Sequence, residues 1–170
     1  MRVFDREYYT LMHIKTERLT LESISPDLAQ RIVAGDRTND DHWHPEYPFK
    51  DELVPLAGLA ASSSPDPIFT MYLIRRKSDG SAIGGFGFRG PPDETGQVVF
   101  GYGLVASARG AGLATEAVCR ALEVAAEHGA LSAAADTELH NRRSQRVLEK
   151  AGLIEIFRDE SAIYFKRPLV

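Results

Sequence analysis

The residues with the clearest chemical capacity are Arg109, Gly110, Ala111, Gly112, Leu113, Ala114 and Thr115. A β-like apolar run, Val98 to Val105, leads into them, and a helical pattern starting near Gly112 leads out. A strand, a glycine turn and a helix N-terminus together make an anion site. The first-turn N–H groups lack intrahelical acceptors, and the helix dipole favours negative charge. Gly110 and Gly112 keep Cβ atoms out of the ligand's path. The expected ligand is a pyrophosphate, with the rest of the chain presenting something to the group attached to it.

A second chemically dense stretch is Asn39-Asp40-Asp41-His42-Trp43-His44-Pro45-Glu46-Tyr47-Pro48. Aromatic rings beside acids can receive a cationic amine, and either histidine can accept its proton. His42 and His44 with Asp40 or Asp41 could also be read as metal ligands. Their close spacing in a loop, without further ligands, does not make a metal site, and no metal is expected. The alternative is a polar surface loop anchored by Trp43. Cys119, the single cysteine, excludes an internal disulfide and falls in an apolar helical pattern, which points to packing.

The elements that position these residues follow from periodicity and turn chemistry. Leu19 and Leu21 alternate with polar neighbours in a first strand running from Ile14. Ser25-Pro26-Asp27 starts a helix with Leu28, Ile32 and Val33 inward, closed by Gly35. Asp51 to Leu59 forms a second short helix. Three strands, Ile68–Arg75, Ala82–Arg89 and Gln97–Val105, make an antiparallel meander. Gly84, Gly85 and Gly87 weaken its middle strand and mark a close approach of another backbone or a ligand. A helix from Gly112 to His128, a strand Leu131–Thr137, a helix capped by Asn141 and a C-terminal hairpin follow. The expected fold is α/β (α+β): a mixed, mostly antiparallel sheet of about seven strands with helices on both faces. Residues 1–13 read as an added strand, an arm on a partner subunit or a loose end.

At 170 residues the chain is most simply one domain with a real core. A net charge of −4 argues against a general nucleic-acid binder. The cluster Arg142, Arg143, Arg146 and Lys150 reads first as a solvated helix face. No segment suits a bilayer span or a signal peptide, so the cytoplasm is the default compartment, as a monomer or homodimer.

Arg109-Gly110-Ala111-Gly112-Leu113-Ala114 resembles the acetyl-CoA signature Gln/Arg-x-x-Gly-x-Gly/Ala of the GNAT N-acetyltransferases. Thr16 to Leu21, Gly101-Tyr102, Asn141-x-x-Ser144 and Val147 to Leu153 look like the branch that modifies ribosomal-protein N-termini, with its small-molecule relatives. The resemblance covers roughly residues 14–167. It implies that Arg109 to Thr115 cradle the pyrophosphate of acetyl-CoA. It also implies that the preceding strand splays from its parallel neighbour to admit pantetheine along Leu104 and Val105, with Asn141 and Ser144 facing the same arm. A dinucleotide fold, suggested by Gly110-x-Gly112-x-x-Thr115, would need a βαβ unit, and the three preceding strands form a meander instead.

The resemblance leaves the proton chemistry open. Relatives often carry a glutamate base where this chain has Val99, and a tyrosine acid where it has Leu148. An α-amino acceptor, with a pKa near 8, needs less help than a lysine. Otherwise Ser144 is the candidate donor to sulfur, with Tyr102, His140, His42 or His44 nearer the amine. The region after the first helix lines the acceptor side in this family, which makes His42, Trp43, His44 and Tyr47 candidate substrate contacts. The expected activity is acetyl transfer from acetyl-CoA to a primary amine of a small molecule or a peptide N-terminus, the small molecule preferred. Alternatives are another donor, such as a longer acyl-CoA or an aminoacyl-tRNA, and a catalytically weak CoA-binding or regulatory module.

Overall fold

Two short strands, β1 (His13–Lys15) and β2 (Leu19–Ser23), stand where one was expected, because the chain reverses through Thr16, Glu17 and Arg18. The computed structural model describes residues 10–170. Most of the arm considered for residues 1–13 therefore lies outside the described residues. Within them, Met12 already exchanges bonds with Ser23: its N–H donates to Ser23 Oγ at 2.8 Å, and the Ser23 N–H to the Met12 carbonyl at 2.9 Å.

The elements that follow are α1 (Pro26–Ala34), α2 (Leu53–Ala60), β3 (Met71–Arg76), β4 (Ala82–Phe88) and β5 (Gln97–Leu104). After them come α3 (Leu113–Glu127), β6 (Ser132–Glu138), α4 (Arg142–Lys150), β7 (Ile154–Arg158) and β8 (Ala162–Pro168). Local chemistry explains most boundaries. Ser25 Oγ accepts the Leu28 N–H at 3.1 Å, Pro26 opens α1, and Gly35 at φ 69° closes it. Asp66 Oδ1 accepts the N–H groups of Ile68 and Phe69 at 2.8 and 2.7 Å. That turn holds both residues out of β3, which starts later than the pattern of Ile68–Arg75 suggests. In α1 the buried residues are Ala29 and Ile32, while Val33, expected inward, is 40% exposed.

The eight strands form one sheet in the order β1-β2-β3-β4-β5-β6-β8-β7. All neighbours are antiparallel except β5 and β6. α3 packs on β5 through Leu113, Ala117, Val118, Ala121, Leu122 and Ala125, the face expected from periodicity, and reaches β1, β2 and α4. α1 and α2 pack on each other. A row of rings runs through the core: Phe86 stacks on Phe100 at 5.6 Å, and Phe100 on Tyr102 at 6.3 Å. Among the described residues no helix is long and apolar enough to cross a membrane.

One irregularity positions everything that follows. The parallel pair β5 and β6 is joined only at Gln97–Ser132, Val98–Ala133 and Val99–Ala134. Beyond Val99 the strands part, although β5 continues to Leu104 and β6 to Glu138.

Candidate active site

The turn after β5 is built as its sequence suggests. A short 3-10 turn, Ala106–Ala108, leads to Gly110 at φ 84° and Gly112 at φ 80°. Both values lie in the left-handed region that side chains with a Cβ resist. Glu116 is the first residue of α3 whose N–H finds a backbone acceptor, the Gly112 carbonyl at 3.1 Å. Among the described residues the N–H groups of Gly110, Ala111, Gly112, Leu113, Ala114 and Thr115 make no hydrogen bond. Such a set of converging free donors fits a diphosphate. Arg109 turns its guanidinium inward, where Nε donates to the Leu104 carbonyl at 3.0 Å and ties the turn to the strand end.

The turn is also held from outside. Arg18 Nη1 donates to the Ala111 carbonyl at 2.8 Å, and its Nε to Glu116 Oε2 at 2.7 Å. Glu116 Oε1 accepts the Arg18 N–H at 2.8 Å and the Thr16 hydroxyl at 2.5 Å. Burial pushes the Glu116 carboxyl up, but the Thr16 and Arg18 bonds prevail and hold it below its usual range.

The parting of β5 and β6 opens a cavity of about 500 Å³ that runs from the glycine turn to Tyr102, Gly103 and Leu104. Its far wall is α4, which contributes Ser144 and Val147 and the cations Arg143, Arg146 and Lys150. The basic cluster is therefore more than a solvated face, since three of its four members line the cavity that holds the anion cradle. Asn141 caps α4, its Oδ1 accepting the Ser144 N–H at 3.1 Å. The Ser144 hydroxyl lies 2.9 Å from that of Tyr102, which bonds to it rather than to the helix backbone alone. Burial pushes the Tyr102 phenol up to about 12, so it stays protonated and able to donate.

A second, open cleft of about 670 Å³ adjoins the first and shares Tyr102, Gly103, Leu104, Arg109 and Asn141 with it. Phe49, Leu59, Phe69 and Met71 supply apolar wall, and Glu52 is its shielded carboxylate. Glu52 arises from the turn Lys50–Glu52 that follows the Asp- and His-rich loop. Its Oε1 sits 2.2 Å from the point where a Cβ on Gly85 would lie, and the ring of Phe49 is 3.2 Å from the same point on Gly103. The glycines of β4 thus do mark a close approach, of backbone at Gly84, where the Gly103 carbonyl oxygen lies 2.1 Å from the Cβ point, and of a side chain at Gly85. Glu52 Oε2 and the Tyr47 hydroxyl are both buried and lie near each other, and neither completes a well-formed hydrogen bond. Burial, reinforced by Asp51 and only partly offset by Tyr47, pushes the Glu52 carboxyl up to about 7. Sequence reasoning missed Glu52. The unexplained Gly84-Gly85 pair was the available signal, but its partner could not be read from spacing.

Several expected site residues lie elsewhere. Trp43 is buried, bridges to Ala82 and lies under the guanidinium groups of Arg31 and Arg37, 5.8 and 5.7 Å from its ring centre. It is the anchor of its loop. Tyr47 is buried against Trp43 and Phe49. His44 reaches Ser107 Oγ at 3.3 Å, and His42 carries a left-handed backbone at φ 50°. None of the four lines either cavity, and neither does His140, which is exposed in the turn before α4. Val99 is half-buried at the last position of β5 paired with β6, and Leu148 is fully buried. Cys119 is half-buried, and burial pushes its thiol up. Among the described residues no three His, Cys, Asp or Glu side chains are grouped to hold a metal ion.

Comparison with known proteins agrees with this geometry. The model of the acetyltransferase (GNAT) domain matches residues 18–154. An uncharacterized N-acetyltransferase of Bacillus subtilis, YjdG, is 31% identical over 151 residues, covering 83% of this chain and 89% of that protein. Two solved structures share the fold at low identity. The ribosomal-protein-S5-alanine acetyltransferase of Vibrio fischeri superposes with a TM-score of 0.57 at 16% identity, covering 92% of this chain and 96% of that one. The Microcin C7 self immunity acetyltransferase MccE, solved with acetyl-CoA and AMP, gives 0.60 at 15% identity, with 90% and 93% covered.

Proposed function

The chain belongs to the acetyltransferase (GNAT) family and is an N-acetyltransferase using acetyl-CoA, and we propose that its acceptor is the primary amine of a small molecule or a peptide N-terminus held in the 670 Å³ cleft. The observation that carries this reading is the meeting of two cavities at the end of β5. One has an anion cradle and the other an apolar wall, and they share Tyr102, Gly103 and Leu104.

In this reading the free N–H groups from Gly110 to Thr115 hold the diphosphate, and Arg143, Arg146 and Lys150 hold the remaining phosphate charge. The gap beyond Val99 receives the pantetheine arm beside Leu104 and Val105. Acetyl-CoA supplies an activated thioester carbonyl. Direct attack by the amine needs both substrates present at once, which the adjoining cavities permit. The hydrogen-bonded hydroxyls of Tyr102 and Ser144 are taken to supply the proton to the departing sulfur, with Ser144 serving in place of a tyrosine at the Leu148 position.

A small acceptor is favoured by the net charge of −4, which offers no general attraction to a ribosome. The likeness to an acetyltransferase of a ribosomal protein keeps the peptide N-terminus as the second acceptor class. Thermal unfolding with and without CoA, combined with thiol release from acetyl-CoA over a panel of primary amines, tests the reading. Stabilisation together with turnover is the expected result. Stabilisation without turnover on any amine would leave a binding module, and absence of both would remove the acetyl-CoA site.

A further inference from the structure

Glu52 has no part in the roles set out so far, yet it is the carboxylate most exceptionally placed. Side chains alternate along a strand, so Val99, Gly101 and Gly103 share one face of β5 and Tyr102 the other. Gly85 pairs with Gly103, and both lack a side chain on the face where Glu52 and Phe49 lie. Two missing side chains therefore let a carboxylate and a ring rest directly on the backbone, one residue short of Leu104. Glu52 thus approaches the end of β5 from the same face as Val99, while the Tyr102–Ser144 pair approaches from the other.

The charges facing Glu52 leave it uncompensated. Tyr47 comes from the preceding loop and Asp51 from its own turn, and neither is cationic. Asp66, after α2, is occupied by the N–H groups of Ile68 and Phe69. Arg89, at the end of β4, pairs with Asp136 at 3.4 Å, and Arg109 donates to Leu104. Arg75 acts on Tyr47 rather than on Glu52. The missing cation is one that a ligand can bring.

We propose that Glu52 receives the acceptor as an ammonium ion and takes its proton, and that the acceptor is a small primary amine with an apolar, ring-bearing body. This rests on the acetyl-CoA reading above. The walls formed by Phe49, Leu59, Phe69 and Met71 suit such a body. Desolvation disfavours both an ammonium and a carboxylate, so the shielding of Glu52 favours the transfer that neutralises the pair. The raised affinity of Glu52 for a proton follows from the same burial.

An N–H bond of the ammonium breaks and its proton goes to Glu52. The freed lone pair forms the C–N bond at the thioester carbonyl, and the C–S bond breaks with its electron pair on sulfur. A second nitrogen proton ends on that sulfur through the Tyr102 and Ser144 hydroxyls, which finish as they began. Glu52 returns its proton to solvent through the open mouth of the cleft.

The test uses the full chain and two probes: 2-phenylethylamine, an ammonium at neutral pH, and phenylhydrazine, neutral at the same pH. Thiol release from acetyl-CoA is followed for wild type and Glu52→Gln, alongside thermal stabilisation by acetyl-CoA. The variant should keep the stabilisation, lose roughly 100-fold in kcat/KM on 2-phenylethylamine and lose less than about 10-fold on phenylhydrazine. Wild-type kcat/KM on the ammonium probe should rise with pH through the ionisation of Glu52, and that limb should vanish in the variant. Gly85→Ala, which displaces the carboxylate and keeps its chemistry, should show the same probe dependence. Equal losses on both probes, or a retained limb, overturn the proposal. So does a wild type that acetyl-CoA stabilises but that turns over neither probe. Absence of stabilisation by acetyl-CoA removes the cofactor reading itself, which is a separate failure.

Discussion

The hydroxyl oxygens of Tyr102 and Ser144 lie 2.9 Å apart across the gap between β5 and α4, joining two walls of the cavity beside the glycine turn. Each hydroxyl can donate to one neighbour and accept from another, so the pair can pass a proton without a net change. Ser144→Ala and Tyr102→Phe should each lower kcat by about 10²-fold, within the range for a positioned proton donor. The double variant should fall short of the product of the single effects, because the two act as a unit. Stabilisation by CoA should change little, and a kinetic cycle with thermal melts checks both expectations.

Gly112→Trp should abolish stabilisation by CoA. Its φ of 80° strains any residue with a Cβ, and a Cβ there would point within 3.5 Å of Arg18 Nη2. A bulky ring therefore blocks the cradle and disturbs its outer support. The strain alone costs about 1–2 kcal/mol, so the variant should remain folded for measurement by calorimetry.

Removing Glu116 should loosen the cradle without touching its N–H groups. Glu116→Ala leaves Arg18 without its carboxylate partner and leaves the Thr16 hydroxyl only its bonds to the Leu19 backbone. A loss of about 1–2 kcal/mol is expected, allowing for solvent screening of the exposed Arg18. Glu116 ionises below its usual range in the folded chain, so its contribution is present at neutral pH and disappears as pH falls through the folded value. The gap in stability between wild type and variant should therefore narrow in acid, and acetyl-CoA affinity should drop with the variant at pH 7.

Glu52 predicts the opposite pH dependence. Its carboxyl is raised from 4.5 to about 7 by burial, so the folded chain holds the proton more tightly than the unfolded chain. The associated stability is fully present below the unfolded value and is lost as pH rises through about 7. Relative to Glu52→Gln, wild type should lose on the order of 3 kcal/mol at most between acid and mildly alkaline pH. Denaturant melts at several pH values measure it, and parallel curves would show that Glu52 titrates normally.

The phosphate-facing role proposed for α4 has its own signature. Arg146→Ala should weaken CoA binding and shrink the preference for CoA over its 3′-dephosphorylated form, more so at low salt. Isothermal titration at two ionic strengths resolves the effect.

What could be read from residues alone was governed by local rules. The anion turn, the Ser25 and Asn141 caps and the inward face of α3 depend on neighbours within a few positions, and all are present. The parting of the parallel strands was implied by resemblance and not by pattern. The turn at Thr16–Arg18 was hidden because it carries no glycine, proline or asparagine, and only a change in the phase of alternation between Ile14 and Leu19 marks it. Glu52 was illegible for a different reason. Its burial depends on Gly85, which is distant in sequence, and a carboxylate beside Asp51 in a polar turn looks solvated. The loop holding His42, Trp43, His44 and Tyr47 has the composition of a binding loop, while the contacts of Trp43 and Tyr47 are those of an anchor.

The parting of β5 from β6 has a mechanical consequence. Five strands lie on one side of that seam and three on the other, and across it the sheet is stitched by three residue pairs. The seam is a weak line through the interior of the sheet, and the β6-β8-β7 flap is a natural unit of local opening. A ligand lodged along the gap belongs to both sides at once. Amide exchange in the flap should therefore slow as the gap fills, making the rigidity of the sheet a gauge of cofactor occupancy.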